Sequence, residues 1–164
     1  KDYPNLFHAI EILLKQDDKH KNIYLFVVGD GDLRSELEHI ITEKKLSTQV
    51  HLLGRRSDIP QLMSAADLFI LSSSFEGFGL VVAEAMACQT YVVATDCGGV
   101  KEVMGDTGIL VQPKNSLDLA QALMRAINLS DVEVIQNNMK AVMHVSKNFD
   151  LKIIVTKWLE IYAK

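Results

Sequence analysis

Apolar positions along the chain switch repeatedly between two periods. Asn5 to Leu14 carries Leu6, Ile10, Leu13 and Leu14 at helical spacing, and Ile23 to Val28 is a short β-rich run that ends at Gly29. Leu33 to Leu46 returns to the helical period, with Leu33, Leu37, Ile40 and Ile41 on one face and Asp32 as its expected N-cap. Val50 to Leu53, closed by Gly54, reads as a second strand. Ile59 to Ala66 reads as a short helix capped by Ser57 or Asp58, with Pro60 in its first turn. The pattern then predicts a strand at Leu68 to Leu71, a helix at Leu80 to Cys88, and strands at Tyr91 to Ala94 and Ile109 to Val111. Three helices follow: Ser116 to Asn128, Asp131 to about His144, and Asp150 to Tyr162, with Ser116 and Asp150 as caps.

Short apolar strands alternating with helices predict a Rossmann-like α/β domain, a parallel sheet with helices on both faces. Ligands of such sheets bind beyond the C-terminal ends of the strands. The chemistry is therefore expected just after Val28, Leu53, Leu71, Ala94 and Val111.

Composition narrows the classes of function. The 164 residues carry a formal charge of -4, which argues against a nucleic-acid partner, since such proteins present a basic face. Cys88 and Cys97 make no disulfide framework and suggest reduced thiols in a cytoplasmic setting. The five histidines lack metal-ligand spacing. No apolar run approaches the ~18 residues of a membrane span. The opening Lys1-Asp2-Tyr3-Pro4 is no signal peptide and has no Met, so further sequence is expected upstream.

The densest chemistry lies in Ser72-Ser73-Ser74-Phe75-Glu76-Gly77-Phe78-Gly79-Leu80-Val81-Val82-Ala83-Glu84. A strand ends in serines, a loop with two glycines follows, and a helix of small apolar residues begins. Free N–H groups and the helix dipole make such a helix start an anion site. Glu84 has Leu80, Val81, Ala87 and Cys88 as helical neighbours, which places it at a mostly buried position and calls for a partner. A ribose diol or a protein group would serve. Glu76, in the loop, has a sugar hydroxyl or a developing positive charge as its functional partner, against the alternative of an exposed loop carboxylate.

Two further turns follow strands. Val27-Val28-Gly29-Asp30-Gly31-Asp32 lacks the third glycine of a dinucleotide fingerprint, since Arg34 stands there. Its Asp-x-Asp lacks a third oxygen ligand for a metal. It reads as a glycine turn open to a nucleotide. In Asp96-Cys97-Gly98-Gly99-Val100-Lys101-Glu102 the glycine pair is either a structural turn or a sugar contact, and Glu102 is expected to start a short helix.

Taken in order, these features resemble glycosyltransferase family four, the retaining GT-B enzymes. Glu76 and Glu84 match that family's two glutamates with seven residues between them, with Gly77, Phe78, Gly79 and Leu80 in register. Gly29-Asp30-Gly31, Leu53-Gly54-Arg55, Ala66-Asp67, Gly98-Gly99-x-x-Glu102 and Gly108-Ile109-Leu110-Val111 match its other turns and strands. The resemblance implies that Glu84 holds the ribose hydroxyls and Glu76 contacts the donor sugar as the catalytic residue. It implies that backbone N–H groups of Phe78 to Val81 meet sugar and diphosphate, and that Gly29 to Gly31 and Gly54 to Arg55 border the base. It further implies a nucleotide diphosphate sugar as donor, UDP by family habit, with no cofactor and no metal. The acceptor, a saccharide or lipid-linked saccharide, would sit on an N-terminal domain, and the complete protein would associate peripherally with the cytoplasmic membrane. The family's first strand, with the Arg and Lys that clamp the diphosphate, is expected before Lys1, so no cation is expected to face the diphosphate here. The isolated chain is expected to be inactive. Two departures stand out: Gln89 and Tyr91 occupy places where the family carries glycine and proline. A non-catalytic nucleotide-sugar module, or a GT-B epimerase or starch-type synthase, remains the alternative.

Overall fold

The computed structural model describes residues 1–16 and 22–162. Helices and strands run in the order α1 (Tyr3–Gln16), β1 (Leu25–Val28), α2 (Arg34–Glu43), β2 (Val50–Gly54), α3 (Ile59–Ala65), β3 (Leu68–Leu71), α4 (Leu80–Ala87), β4 (Tyr91–Thr95), α5 (Val100–Met104), β5 (Ile109–Val111), α6 (Ser116–Ile127), α7 (Asp131–Phe149) and α8 (Leu151–Tyr162). Every strand pair is parallel, and the strands fall into two groups, β1–β2 and β3–β4–β5. The sheet is thus broken into two, and the resemblance puts the family's first strand in its middle.

β4 shows why the sheet is covered on both faces. All five of its residues are buried. Tyr91 and Val93 point into a core built with α1, α2 and α6, whose centre is Phe7, Ile10, Leu13, Leu119 and Leu123. Val92 and Ala94 point the other way, toward Val82 and Met86 of α4, Val100 and Val103 of α5, and Ala141 of α7. Strand side chains alternate faces, so a strand apolar at every position must be sandwiched. No helix among the described residues is long and apolar enough to cross a membrane.

Element boundaries differ from the sequence reading where caps decide them. Asp32 does not cap α2: the Arg34 N–H bonds the Gly31 carbonyl at 3.1 Å, a turn that delays the helix until Arg34 and leaves Leu33 at the N-cap. Asp58 holds the N-cap position of α3 but makes no capping bond, because Arg56 occupies both its oxygens at 2.8 and 2.6 Å. Asn115 rather than Ser116 caps α6, accepting from the Asp118 N–H at 3.1 Å. Asp150 does cap α8, through the Lys152 N–H at 2.8 Å. α7 starts in a capping box of Ser130 and Glu133. It runs to Phe149, past the expected end near His144, because Val145 and Phe149 still have core to cover.

Two helices end in the same motif on residues poorly suited to it. After α4 the Gln89 N–H bonds the Met86 carbonyl and the Thr90 N–H the Ala85 carbonyl, with Gln89 at φ +60°. After α2 the Lys45 and Leu46 N–H groups bond the Thr42 and Ile41 carbonyls, with Lys45 at φ +57°. These are Schellman closures, whose left-handed position favours glycine. That conformation costs an L-residue about 1–2 kcal/mol, and glycine gives back about 0.4–1 kcal/mol through its freer unfolded chain. Gln89→Gly and Lys45→Gly are each expected to stabilise the protein by roughly 0.5–1 kcal/mol, raising Tm by about 1–4 °C in a calorimetric scan. A lowered Tm in both variants would contradict this account of the two helix ends.

Candidate functional site

The C-terminal edge of β3–β4–β5 gathers polar side chains that the strands themselves do not use. β3 ends at Leu71, and Ser72 and Ser73, both buried, continue from it. The Ser73 hydroxyl donates to Glu76 Oε1 at 2.6 Å, and Lys1 Nζ reaches the same oxygen at 2.5 Å. Lys1 arrives there because Asp2 adopts φ +54° just before α1 and because the Ser72 hydroxyl holds the Lys1 carbonyl at 2.9 Å. A cation, paired with Glu76, thus stands at this edge. The sequence reading missed Lys1 because its position depends on a contact across 71 residues.

Glu76 is only 17% exposed in its side chain. Burial pushes its carboxyl up, but the hydrogen bonds from Lys1 and Ser73 outweigh that and hold it below the usual carboxylate range. It is therefore ionised at neutral pH. Immediately after it, Gly77 borders open space, Phe78 is 37% exposed, and Gly79 at φ +85° turns the chain into α4. No side chain caps α4; the Val82 N–H bonds the Gly79 carbonyl at 2.9 Å, and the N–H groups of Leu80 and Val81 before it remain available to an acceptor.

Glu84 lies one turn further along. It is exposed, as are Leu80 and Ala87 on the same stripe, and it has no hydrogen bond or ion pair among the described residues. The burial inferred from its apolar neighbours is wrong. α4 packs against the sheet through Val82, Ala83, Ala85 and Met86, so the stripe of 80, 84 and 87 faces outward although two of its members are apolar.

The other predicted turns meet one another. The Gly29 N–H bonds the Gly54 carbonyl at 2.8 Å, joining the ends of β1 and β2. Asp30 accepts from the Gly31 N–H at 3.0 Å and lies 3.8 Å from Arg34 Nη1. Arg34 also donates to the Leu52 carbonyl at 3.2 Å, so the residue that spoils the dinucleotide fingerprint ties the two turns together. Arg55 is exposed. Among the described residues no hydrogen bond or ion pair joins this pair of turns to the Glu76 cluster.

The glycine pair after β4 supports the Glu76 loop. The Gly99 N–H bonds the Gly77 carbonyl at 3.0 Å. Gly98 sits at φ +56°, and a Cβ there would lie 1.8 Å from the Glu76 carbonyl oxygen. The Glu76 loop rests directly on glycine backbone. Gly98→Ala is therefore expected to destabilise by about 2–4 kcal/mol, from the left-handed φ and the forced overlap. Gly77→Ala, with nothing within 4 Å of its Cβ, should change stability by less than about 0.5 kcal/mol. Denaturant midpoints of the two variants decide; equal midpoints would refute the packing role of Gly98.

The chain is similar in sequence and fold to known proteins. The sequence profile of the family described as Glycosyl transferases group 1 matches residues 1–142. N-acetyl-alpha-D-glucosaminyl L-malate synthase of Bacillus anthracis is 33% identical over 142 residues, covering 84% of this chain and 36% of that protein. A Campylobacter jejuni relative, N,N'-diacetylbacillosaminyl-diphospho-undecaprenol alpha-1,3-N-acetylgalactosaminyltransferase, is 35% identical over 120 residues, covering 72% of this chain and 31% of the relative. Among solved structures, Anabaena HepE in complex with UDP and glucose superposes with TM-score 0.81 at 33% identity, over 95% of this chain and 44% of that one. A mutant of S. aureus TarM in complex with UDP and saccharide ligands superposes with TM-score 0.90 at 25% identity, over 100% of this chain and 33% of that one. The chain spans about a third of the length of these two curated relatives. With the profile matched over most of its length, the chain belongs to the glycosyl transferases group 1 family and has the GT-B type of architecture.

Proposed function

We propose that this chain is the donor-binding domain of a retaining glycosyltransferase that moves a sugar from a nucleotide diphosphate, UDP in the first instance, to an acceptor hydroxyl. The observation that carries the reading is the Lys1–Glu76–Ser73 cluster beside the uncapped start of α4. Transfer builds negative charge on the leaving diphosphate and positive charge at the anomeric carbon. Lys1 and the α4 N–H groups suit the first, and the ionised Glu76 suits the second. Charge is thus met by side chain and backbone, and the reading assigns no step to a metal. Glu84, exposed and unpaired, is free to accept from a ribose diol, and the joined turns at Gly29–Gly31 and Gly54–Arg55 would border the base. Two solved relatives that carry UDP support this choice of nucleotide.

The remaining assignments belong to the complete protein. A preceding segment would hold the acceptor and contribute a strand between the two groups, and the 164-residue chain by itself would not turn over. The donor sugar is a hexose or N-acetylhexosamine. The setting is the cytoplasm, at the inner face of the membrane, in assembly of bacterial polysaccharide, O-antigen or glycolipid. Two free thiols suit the compartment, and the undecaprenol-linked substrate in the name of the Campylobacter relative suits the acceptor.

The experiment is a titration of the complete protein with UDP, GDP and ADP by calorimetry and thermal shift, followed by turnover with the matching sugar nucleotides. A nucleotide that binds should raise Tm, by linkage worth about 2.7 kcal/mol at 100 times its Kd. Glu84→Ala should weaken binding about 10- to 100-fold, the loss of charge-assisted hydrogen bonds of about 1.5–3 kcal/mol. Glu76→Gln should lower kcat with nucleotide affinity nearly unchanged. The pH profile follows from the depressed Glu76 carboxyl: activity that needs the ionised form persists above its lowered folded value and falls as pH drops through it. Lys1→Ala removes one of the groups that depress it and should move that acid limb to higher pH. Absence of protection by all three nucleoside diphosphates would overturn the donor reading.

A further inference from the structure

At the ends of β3 and β4 lie three polar groups for which donor binding has no use: the Ser73 carbonyl, the Thr95 hydroxyl and the Cys97 thiol. Ser73 and Thr95 are fully buried and Cys97 is 8% exposed. Buried polar groups must find partners, and these find one another. Thr95 Oγ1 stands 2.6 Å from the Ser73 carbonyl oxygen and 3.3 Å from that of Leu71. A hydroxyl has one proton to give, so the shorter contact takes it. Cys97 Sγ donates to the same Ser73 oxygen at 3.3 Å. The ladder between β3 and β4 has already ended, at Leu71 opposite Ala94, so no strand partner fixes Ser73. Its carbonyl is held from β4 by side chains instead, while its own hydroxyl points to Glu76 at 2.6 Å.

We propose that Thr95, seconded by Cys97, is a positioning residue that orients Ser73 so that its hydroxyl holds the Glu76 carboxylate in place opposite Lys1. The effect on transfer rests on the donor-site reading; the effect on Glu76 itself does not. Gly98 constrains Glu76 through the loop backbone, whereas Thr95 constrains its side chain, so the two act separately. The site asks for a threonine: the methyl fills a fully buried position and the hydroxyl supplies the donor, and valine would match only the first.

Thr95→Val, Thr95→Ser and Cys97→Ala in the complete protein test this, with Lys1, the charged group facing Glu76, left intact throughout. The readouts are the titration of the Glu76 carboxylate by carbon-13 NMR, UDP affinity by calorimetry, and kcat and KM. In Thr95→Val the Glu76 carboxylate should titrate at higher pH than in the wild type, because its hydroxyl donor is no longer aimed. UDP affinity should change less than about twofold, and kcat should fall about tenfold or more, as expected for a misplaced catalytic group. Thr95→Ser should restore both, and Cys97→Ala should shift both in the same direction by less. If Thr95→Val does not fold, Cys97→Ala alone decides. A wild-type Glu76 titration in every folded variant that lacks one of these donors overturns the proposal, even with a lowered Tm. Wild-type protein that binds none of UDP, GDP and ADP would instead defeat the donor reading, and the titration would still judge Thr95.

Discussion

An ionised carboxylate held at the rim of a parallel sheet is the constraint around which the rest of the site is arranged. Glu76 takes a hydrogen bond from Ser73, which belongs to the body of the fold, and one from Lys1, which enters from the far end of the sequence. Together they outweigh the burial that opposes its charge. The loop that carries it can lie so low only because Gly98 and Gly99 have no side chains to lift it. The helix that follows is left uncapped, so its first N–H groups face the same edge as the two charged side chains. Carboxylate, ammonium and helix start therefore form one electrostatic unit built on the ends of β3 and β4.

Much of this was legible along the chain. The strands are short, apolar and bounded by glycine or serine, and sandwiching on both faces enforces that pattern, so all five were found within a few residues. The start of α4 between Glu76 and Glu84 was legible as well, because a glycine loop followed by small apolar residues has few other uses. Helix ends were harder. Asp32, Ser116 and Asp58 are all good capping residues, yet a preceding turn, a neighbouring asparagine and a competing arginine displaced each from that role. Such competition is settled by geometry a few ångströms across, which residue identity does not encode.

The site residues divide in the same way. Glu84 was singled out for a wrong physical reason: its apolar neighbours suggested burial, whereas α4 turns Leu80 and Ala87 outward with it. Lys1, Arg34 and Thr95 act through contacts with residues distant in sequence, and no local pattern marks them. Gln89 is a different case, since it stands out in the sequence as a departure from the family's glycine and the structure shows it at φ +60°.

The division of the strands into two groups gives the molecule a seam. The turns at Gly29 and Gly54 ride on β1–β2, while Glu76 and Ser73 ride on β3–β4–β5, and among the described residues no hydrogen bond or ion pair runs from one set to the other. α1, packed in the core beneath both groups, is the main tie across it. A small molecule reaching from the first set to the second would touch both groups of strands at once.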